Sequence, residues 1–193
     1  MQVEYVNKRF TQDELRLLER TKGSKLLSID AVLAAPPDNS YITVRLHFDG
    51  FDIDLNNNLN EIVVDEFGSR EEFGLLSVAK ASEDILNIPA VGTDTTVFQV
   101  NKTIRGVTVA NNIVDIFGDG VQVVKLEYSQ AVALETDDGF IMLDTEVWFS
   151  ELIVIKSGGT IGELLYDESV NWEDDLEEDP TTHFEFCIEM QKL

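Results

Sequence analysis

Strict alternation of apolar and polar residues around Asp49-Gly50 is the feature that most constrains the fold. Apolar side chains occupy every second position in residues 42–48, and the alternation resumes in residues 51–56. A period of two places the apolar side chains on one face of a strand, and Asp-Gly is a preferred two-residue hairpin turn. We therefore predict a β-hairpin with Asp49-Gly50 at its tip.

The two-residue turn also fixes which side chains face each other. The inner face receives three apolar pairs: Phe48 with Phe51, Leu46 with Ile53, and Val44 with Leu55. On the outer face His47 meets Asp52 and Arg45 meets Asp54, so groups of opposite charge are opposed as well. The agreement of both faces predicts this register, with Arg45 and Asp54 on a polar surface.

Other segments predict further strands. A second alternating pair, 126–136 and 141–149, flanks the turn sequence Asp137-Asp138-Gly139. Shorter strands are predicted at 25–34, 95–101, 103–110, 112–117, 152–156 and 183–190. Asn111-Asn112 is interpreted as a turn between two of them. Many short strands with close turns favour a mainly β fold, an antiparallel meander forming a sandwich or barrel.

Helix signals are few. Thr11 and Glu14 have the spacing of a capping box, and Gly23 is a natural stop, so a helix is predicted at 12–22. Residues 69–88 are ambiguous, because Ser69 and Glu72 offer a second capping box and so favour one or two short helices.

The length of 193 residues favours a single globular domain, 1–193. An internal boundary is placed near residues 89–95. Similarity at an offset of 100, as between Lys25-Leu26 and Lys125-Leu126, relates 25–55 to 125–155. An internal duplication is therefore an open alternative.

Acidic residues dominate the charge, with 37 against 14 basic residues and a formal net charge of -23. Residues 1–30 hold six basic and five acidic residues, so the entire excess follows them. Such a charge repels nucleic-acid phosphate and anionic lipid, and attracts basic proteins and divalent cations. No apolar run approaches the roughly 20 residues of a membrane span, and no signal peptide is evident. We therefore expect a cytoplasmic protein without nucleic-acid or membrane partners.

No pattern of catalytic residues is evident, which disfavours an enzyme, and no cofactor is predicted. The two histidines cannot build a three-histidine zinc site, and Cys187 has Glu185 and Glu189 as neighbours on its strand face. The glycines in 157–162 lack the Gly-Lys-Ser/Thr ending of a phosphate loop and are interpreted as a turn.

Two aspartates are weak candidates for a metal site. Asp52 and Asp54 resemble the opening of a calcium loop. Asn57 and Val63, however, stand where such a loop needs glycine and glutamate.

Aromatic residues among carboxylates are the candidate partner-binding residues. Trp148 shares its strand parity with Asp144 and Glu146, which places all three on the outward face and is typical of an interface anchor. The competing interpretation is that both sheet faces are covered there. Trp172 precedes an acidic run that completes the candidate set: Glu173, Asp174, Asp175, Glu177, Glu178 and Asp179.

The sequence favours an acidic cytoplasmic binding protein, an inhibitor of the immunity type or an adaptor, that captures a basic protein. Two alternatives stay open. One is a β-barrel or sandwich that binds a small ligand or calcium, with or without hydrolytic activity. The other is a structural subunit of a homo-oligomer.

Overall fold

The computed structural model describes residues 3–33, 40–64, 69–82, 95–145, 150–169 and 182–193. These residues form a mainly β structure, as predicted, and contain two helices. In chain order the elements are β1 (Glu4–Lys8), α1 (Gln12–Glu19), β2 (Lys25–Leu33), β3 (Ser40–Phe48), β4 (Phe51–Val64), β5 (Ser69–Lys80), β6 (Thr95–Thr103), β7 (Gly106–Gly118), β8 (Val121–Thr136), β9 (Gly139–Thr145), β10 (Ile153–Gly158), α2 (Ile161–Leu164) and β11 (Thr182–Lys192).

The strands join in one branched sheet. Its main path runs β11-β7-β8-β9-β10-β3-β2-β6. Two strands, β3 and β8, each pair with two different strands along the same edge. β3 pairs with β10 at Ser40–Tyr41 and with β4 over 43–48, while β8 pairs with β1 over 124–128 and with β9 over 131–136. The β1–β8 pairing is parallel and the others are antiparallel, and β4 continues beyond β3 to pair with β5.

The principal core brings together strands that are far apart in this order. Leu26 and Ile29 of β2 lie in the same buried cluster as Val107 and Val109 of β7. Phe98 of β6 packs against it. The sheet therefore curls around this core, because a connection of only two residues, 104–105, joins β6 at one end of the path to β7 near the other end.

A β-bulge places the side chains of β8 in two different hydrophobic clusters. Asn111 pairs with Ser129 and Ala110 with Ala131, so Gln130 is an extra residue in β8. One extra residue reverses the faces of the strand. Val132 and Leu134 therefore lie in the principal core, whereas Leu126 and Tyr128, of the same parity, lie in a second cluster on the other face. The sequence had predicted one face for all four.

Two predictions of secondary structure are wrong. Asn111-Asn112 does not form a turn: both residues are buried inside β7, which replaces the predicted strands 103–110 and 112–117. Residues 69–80 are not helical but form β5, paired with β4 along its whole length. Most other predicted strands agree with the structure to within two residues at each described end. However, β4 extends eight residues beyond the predicted 51–56, β8 begins five residues before the predicted 126–136, and β1 was not predicted. The predicted boundary at 89–95 lies almost entirely outside the described residues.

The N-terminal helix has its predicted start. The Thr11 backbone N–H donates to Glu14 Oε2 at 2.7 Å, and the Glu14 N–H donates to Thr11 Oγ1 at 3.4 Å, which completes the capping box. The helix is shorter than the predicted 12–22, and Gly23 with φ +80° follows its last turn. In the described part of the chain, no helix is long and apolar enough to cross a membrane.

Loss of this cap is expected to cost about 0.5–2 kcal/mol of stability in Thr11→Ala, because one helix N–H loses its acceptor. Thermal unfolding followed by circular dichroism measures the effect. Thr11→Ser keeps the hydroxyl and is the matched control. Equal midpoints for the alanine and serine variants would show that the cap contributes nothing.

Candidate functional site

The central hairpin has the predicted register but not the predicted exposure. Phe48 and Phe51 stack with ring centroids 5.0 Å apart, and Arg45 faces Asp54 across β3 and β4. The prediction that Arg45 and Asp54 lie on a polar surface is wrong, because Asp54 is 0% exposed and Arg45 is 9% exposed.

Arg45 and Asp54 are buried because the chain that follows β5 covers them. Arg45 Nε and Nη2 donate to the two Asp54 oxygens at 2.7 and 3.0 Å. The Ser82 N–H donates to Asp54 Oδ2 at 3.2 Å, while the Ser82 carbonyl accepts from Arg45 Nη2. Ser82 thus closes over the ion pair. Asp54 is a structural residue, with its carboxylate bound on both oxygens.

The other weak metal candidate also has a side-chain neighbour. Asp52 Oδ1 lies 3.2 Å from His47 Nδ1, and Asp30 Oδ2 lies 3.1 Å from Nε2 of the same ring. Within the described ranges, no group of three or more histidine, cysteine or acidic side chains could hold a metal ion. Asp52 and Asp54 therefore belong to two neighbouring pairings of the hairpin.

Asp144, predicted to face outward for a partner, is fully buried, so that prediction is wrong. It lies on the expected side of β9, opposite the core residue Leu143, but this side is covered by residues that follow β10. Its carboxylate accepts from Lys156 Nζ, the Tyr166 backbone N–H and Gln130 Nε2, each at 3.0 Å. Burial raises the pKa of Asp144, and the Lys156 ammonium opposes the rise.

Glu168 is a third fully buried carboxylate, after Asp54 and Asp144, and no sequence pattern had indicated it as a candidate. Its Oε2 accepts from Asn112 Nδ2 at 3.0 Å and from the Tyr128 hydroxyl, and its Oε1 accepts from Thr145 Oγ1 at 2.9 Å. Burial raises the pKa of Glu168 to about 7 against these hydrogen bonds, and the nearby charge of Asp144 adds to the rise.

These contacts fasten residues 161–169, here called the clasp, onto the sheet. Besides the two carboxylates, Lys156 Nζ donates to the Leu164 carbonyl and Gln130 Nε2 to the Tyr166 carbonyl, both at 2.9 Å. Small side chains under the clasp leave room for Leu164, in a cluster formed by Ala110, Ala131, Ala133 and Met142. The clasp is therefore held by a few apolar contacts and by a polar network with two buried acids.

A groove of about 530 Å³ separates the clasp from β11. β11 contributes the apolar side chains Phe186, Ile188 and Met190, and the clasp contributes the polar residues of the lining. Polar groups in small-molecule sites converge on the ligand, whereas here they come from one wall. This groove gives little support to the small-ligand alternative.

An acidic face lies on the outward side of β7, β8 and β11. It consists of Asp115, Glu127, Glu185 and Glu189. Asp115 and Glu185 stand directly opposite each other in the β7–β11 register. Two basic side chains lie among the four acids.

Arg9 and Lys125 partly neutralise the acidic face. Arg9 contacts the Glu127 and Glu189 carboxylates, each at 2.8 Å. Lys125 lies 3.7 Å from Asp115 and 3.8 Å from Glu127. Four acids therefore face two bases.

Aromatic side chains border the acidic face. Tyr5 pairs with Lys125 in the β1–β8 register and is 57% exposed. Phe117 stacks on His183 with ring centroids 4.6 Å apart. Exposed aromatic side chains beside charges are the composition of many protein interfaces.

Most of the sequence-predicted partner residues lie outside the described residues: Glu146, Trp148, Trp172, Glu173, Asp174, Asp175, Glu177, Glu178 and Asp179. The alternation of 183–190 did place Glu185 and Glu189 on one strand face. Asp115 and Glu127 were missed as their neighbours, because only the strand register brings the three segments together.

Known proteins do not identify the chain. No family model, curated protein or solved structure matches it.

Proposed function

We propose that this is an acidic binding protein, an inhibitor of the immunity type or an adaptor, that captures a basic protein in the cytoplasm. The observation that carries the proposal is the Asp115–Glu185 pair on the acidic face. Like charges directly opposite each other on a sheet reduce its stability. Lys125, 3.7 Å from Asp115, offsets this repulsion only in part. Such an arrangement, in a chain with a net charge of -23, supports a role in recognition.

The field of the chain supports the same partner. All of the excess negative charge follows residue 30, and a field of one sign speeds the encounter with an oppositely charged protein. Exposed Tyr5 supplies an aromatic group of the kind that contributes most to interface affinity. Trp148, Trp172 and the acidic residues 173–179 stay predicted contributors, by composition alone.

The expected result is an association rate that falls with salt and with loss of these acids. A partner is first isolated from source-cell lysate at low salt. Stopped-flow binding is then measured from about 0.01 to 0.15 M salt, where the Debye length shrinks from about 30 to 8 Å. Glu185→Gln with Glu189→Gln should slow association several-fold at low salt and change dissociation less.

The matched control removes the same charge elsewhere. Asp49→Asn with Asp119→Asn changes two exposed turn residues, where asparagine suits the turn equally well. Association as slow as in the glutamine variant would show that net charge alone, and not the acidic face, attracts the partner. An association rate independent of salt would contradict it entirely.

A further inference from the structure

Two buried carboxylates fasten the clasp, and they differ in whether a positive charge lies beside them. Asp144 has the Lys156 ammonium 3.0 Å away. Among the described residues, the groups that donate hydrogen bonds to Glu168 are all neutral, those of Asn112, Tyr128 and Thr145. Burying a charge without a partner of opposite charge is costly, and a carboxyl group avoids the cost by keeping its proton.

We propose that the clasp is a pH-sensitive element, which lies fastened on the sheet while Glu168 is protonated and opens more readily once Glu168 is ionised. This inference does not depend on the proposed function. It rests on the complete burial of Glu168, on its neutral donors, and on the position of the residue within the clasp itself, so that its charge state acts directly on clasp docking.

The strands beneath Glu168 offer it hydrogen-bond donors but no cation. β7 contributes Asn112, and β8 contributes Tyr128 and Gln130, none of which is a cation. β9 contributes the Asp144 carboxylate, which disfavours a second negative charge.

In the part of the chain that the structure describes, the nearby cation lies on β10. Lys156 is committed to Asp144 and to the Leu164 carbonyl. The clasp adds Tyr166 and the exposed Asp167. Among the described residues, nothing therefore supplies Glu168 with its own positive charge.

The direction of the pH effect follows from the raised pKa of Glu168. In the fastened clasp the Glu168 carboxyl keeps its proton up to a pH of about 7. In the opened clasp Glu168 is solvated and loses its proton near its ordinary pKa of 4.5. The opened state thus releases a proton between these two pH values. Opening therefore becomes easier as the pH rises from about 4.5 to 7, roughly tenfold per unit, and changes little above that.

Hydrogen exchange of the clasp amides tests this directly. The Tyr166 N–H, which donates to Asp144, and the Leu165 N–H, which donates to Ile161, report on the fastened state. After correction for intrinsic exchange, protection of the clasp should fall on the order of tenfold between pH 5.5 and 6.5. Peptides from the principal core provide the internal reference. Clasp protection that does not change with pH would overturn the proposal.

Two variants separate ionisation from simple packing. Glu168→Gln keeps the size of the side chain without its titration, so the pH dependence should disappear. Thr145→Val removes a donor that favours the carboxylate and should move the midpoint to higher pH. An unchanged pH dependence in Glu168→Gln overturns the proposal, and if that variant does not fold, an unmoved midpoint in Thr145→Val does so.

Discussion

Replacing Asp54 by alanine is expected to destabilise the protein by about 3–5 kcal/mol, the cost of removing one partner from a buried ion pair. The change leaves the Arg45 guanidinium 9% exposed without its counter-charge. It also removes the acceptor of the Ser82 N–H. Urea unfolding followed by circular dichroism gives the free energy of unfolding.

A neighbouring aspartate provides the control. Asp52 lies on the same strand face, but its side chain is 36% exposed and contacts His47. Pairs this exposed contribute about 0–1 kcal/mol, so Asp52→Ala should change stability little. Arg45→Met combined with Asp54→Leu should be less destabilised than Asp54→Ala, since no buried charge is left alone. Equal losses in the two alanine variants would contradict a buried ion pair.

The hairpin shows what local sequence can predict. Its register follows from the turn Asp49-Gly50 and from alternation within about seven residues on either side, all visible in the chain. The burial of its outer face depends on Ser82, some 30 residues further along the chain. No pattern in residues 40–56 indicates which distant segment will cover them.

Tertiary contacts also explain the failed turn at Asn111-Asn112. Asparagine favours turns because its amide competes for local backbone groups. Here Asn111 Oδ1 accepts from Ser129 and Asn112 Nδ2 donates to Glu168, so both amides are occupied by distant side chains. The strand then continues through them. The same lack of long-range information hid Glu168, whose position in the sequence carries no signal of its burial.

The alternation predicts on which side of the sheet a residue lies, but not whether that side is exposed to solvent. Asp144 does lie opposite the core side chain Leu143, as the alternation indicates. The clasp covers that side, so both faces of β9 are buried at this point. The competing interpretation, that both sheet faces are covered in this region, is therefore correct for Asp144. Trp148 itself lies outside the described residues.

The turn between β8 and β9 yields the second large prediction. Gly139 has φ +132°, and a Cβ added there would lie 2.3 Å from the Gly158 carbonyl oxygen. Backbone strain of this kind costs about 1–3 kcal/mol, and overpacking adds about 1–3 kcal/mol more. Gly139→Ala is therefore expected to lose about 2–6 kcal/mol, because β10 must move away from β9 where Gly158 pairs with Phe140.

Gly120→Ala separates the two contributions. Gly120 has φ +76°, but an added Cβ meets nothing within 4 Å, so only the left-handed backbone is penalised, by about 1–2 kcal/mol. Urea unfolding of both variants gives the difference, which measures how closely Gly139 approaches Gly158. Equal losses would show that β9 and β10 are not held this closely.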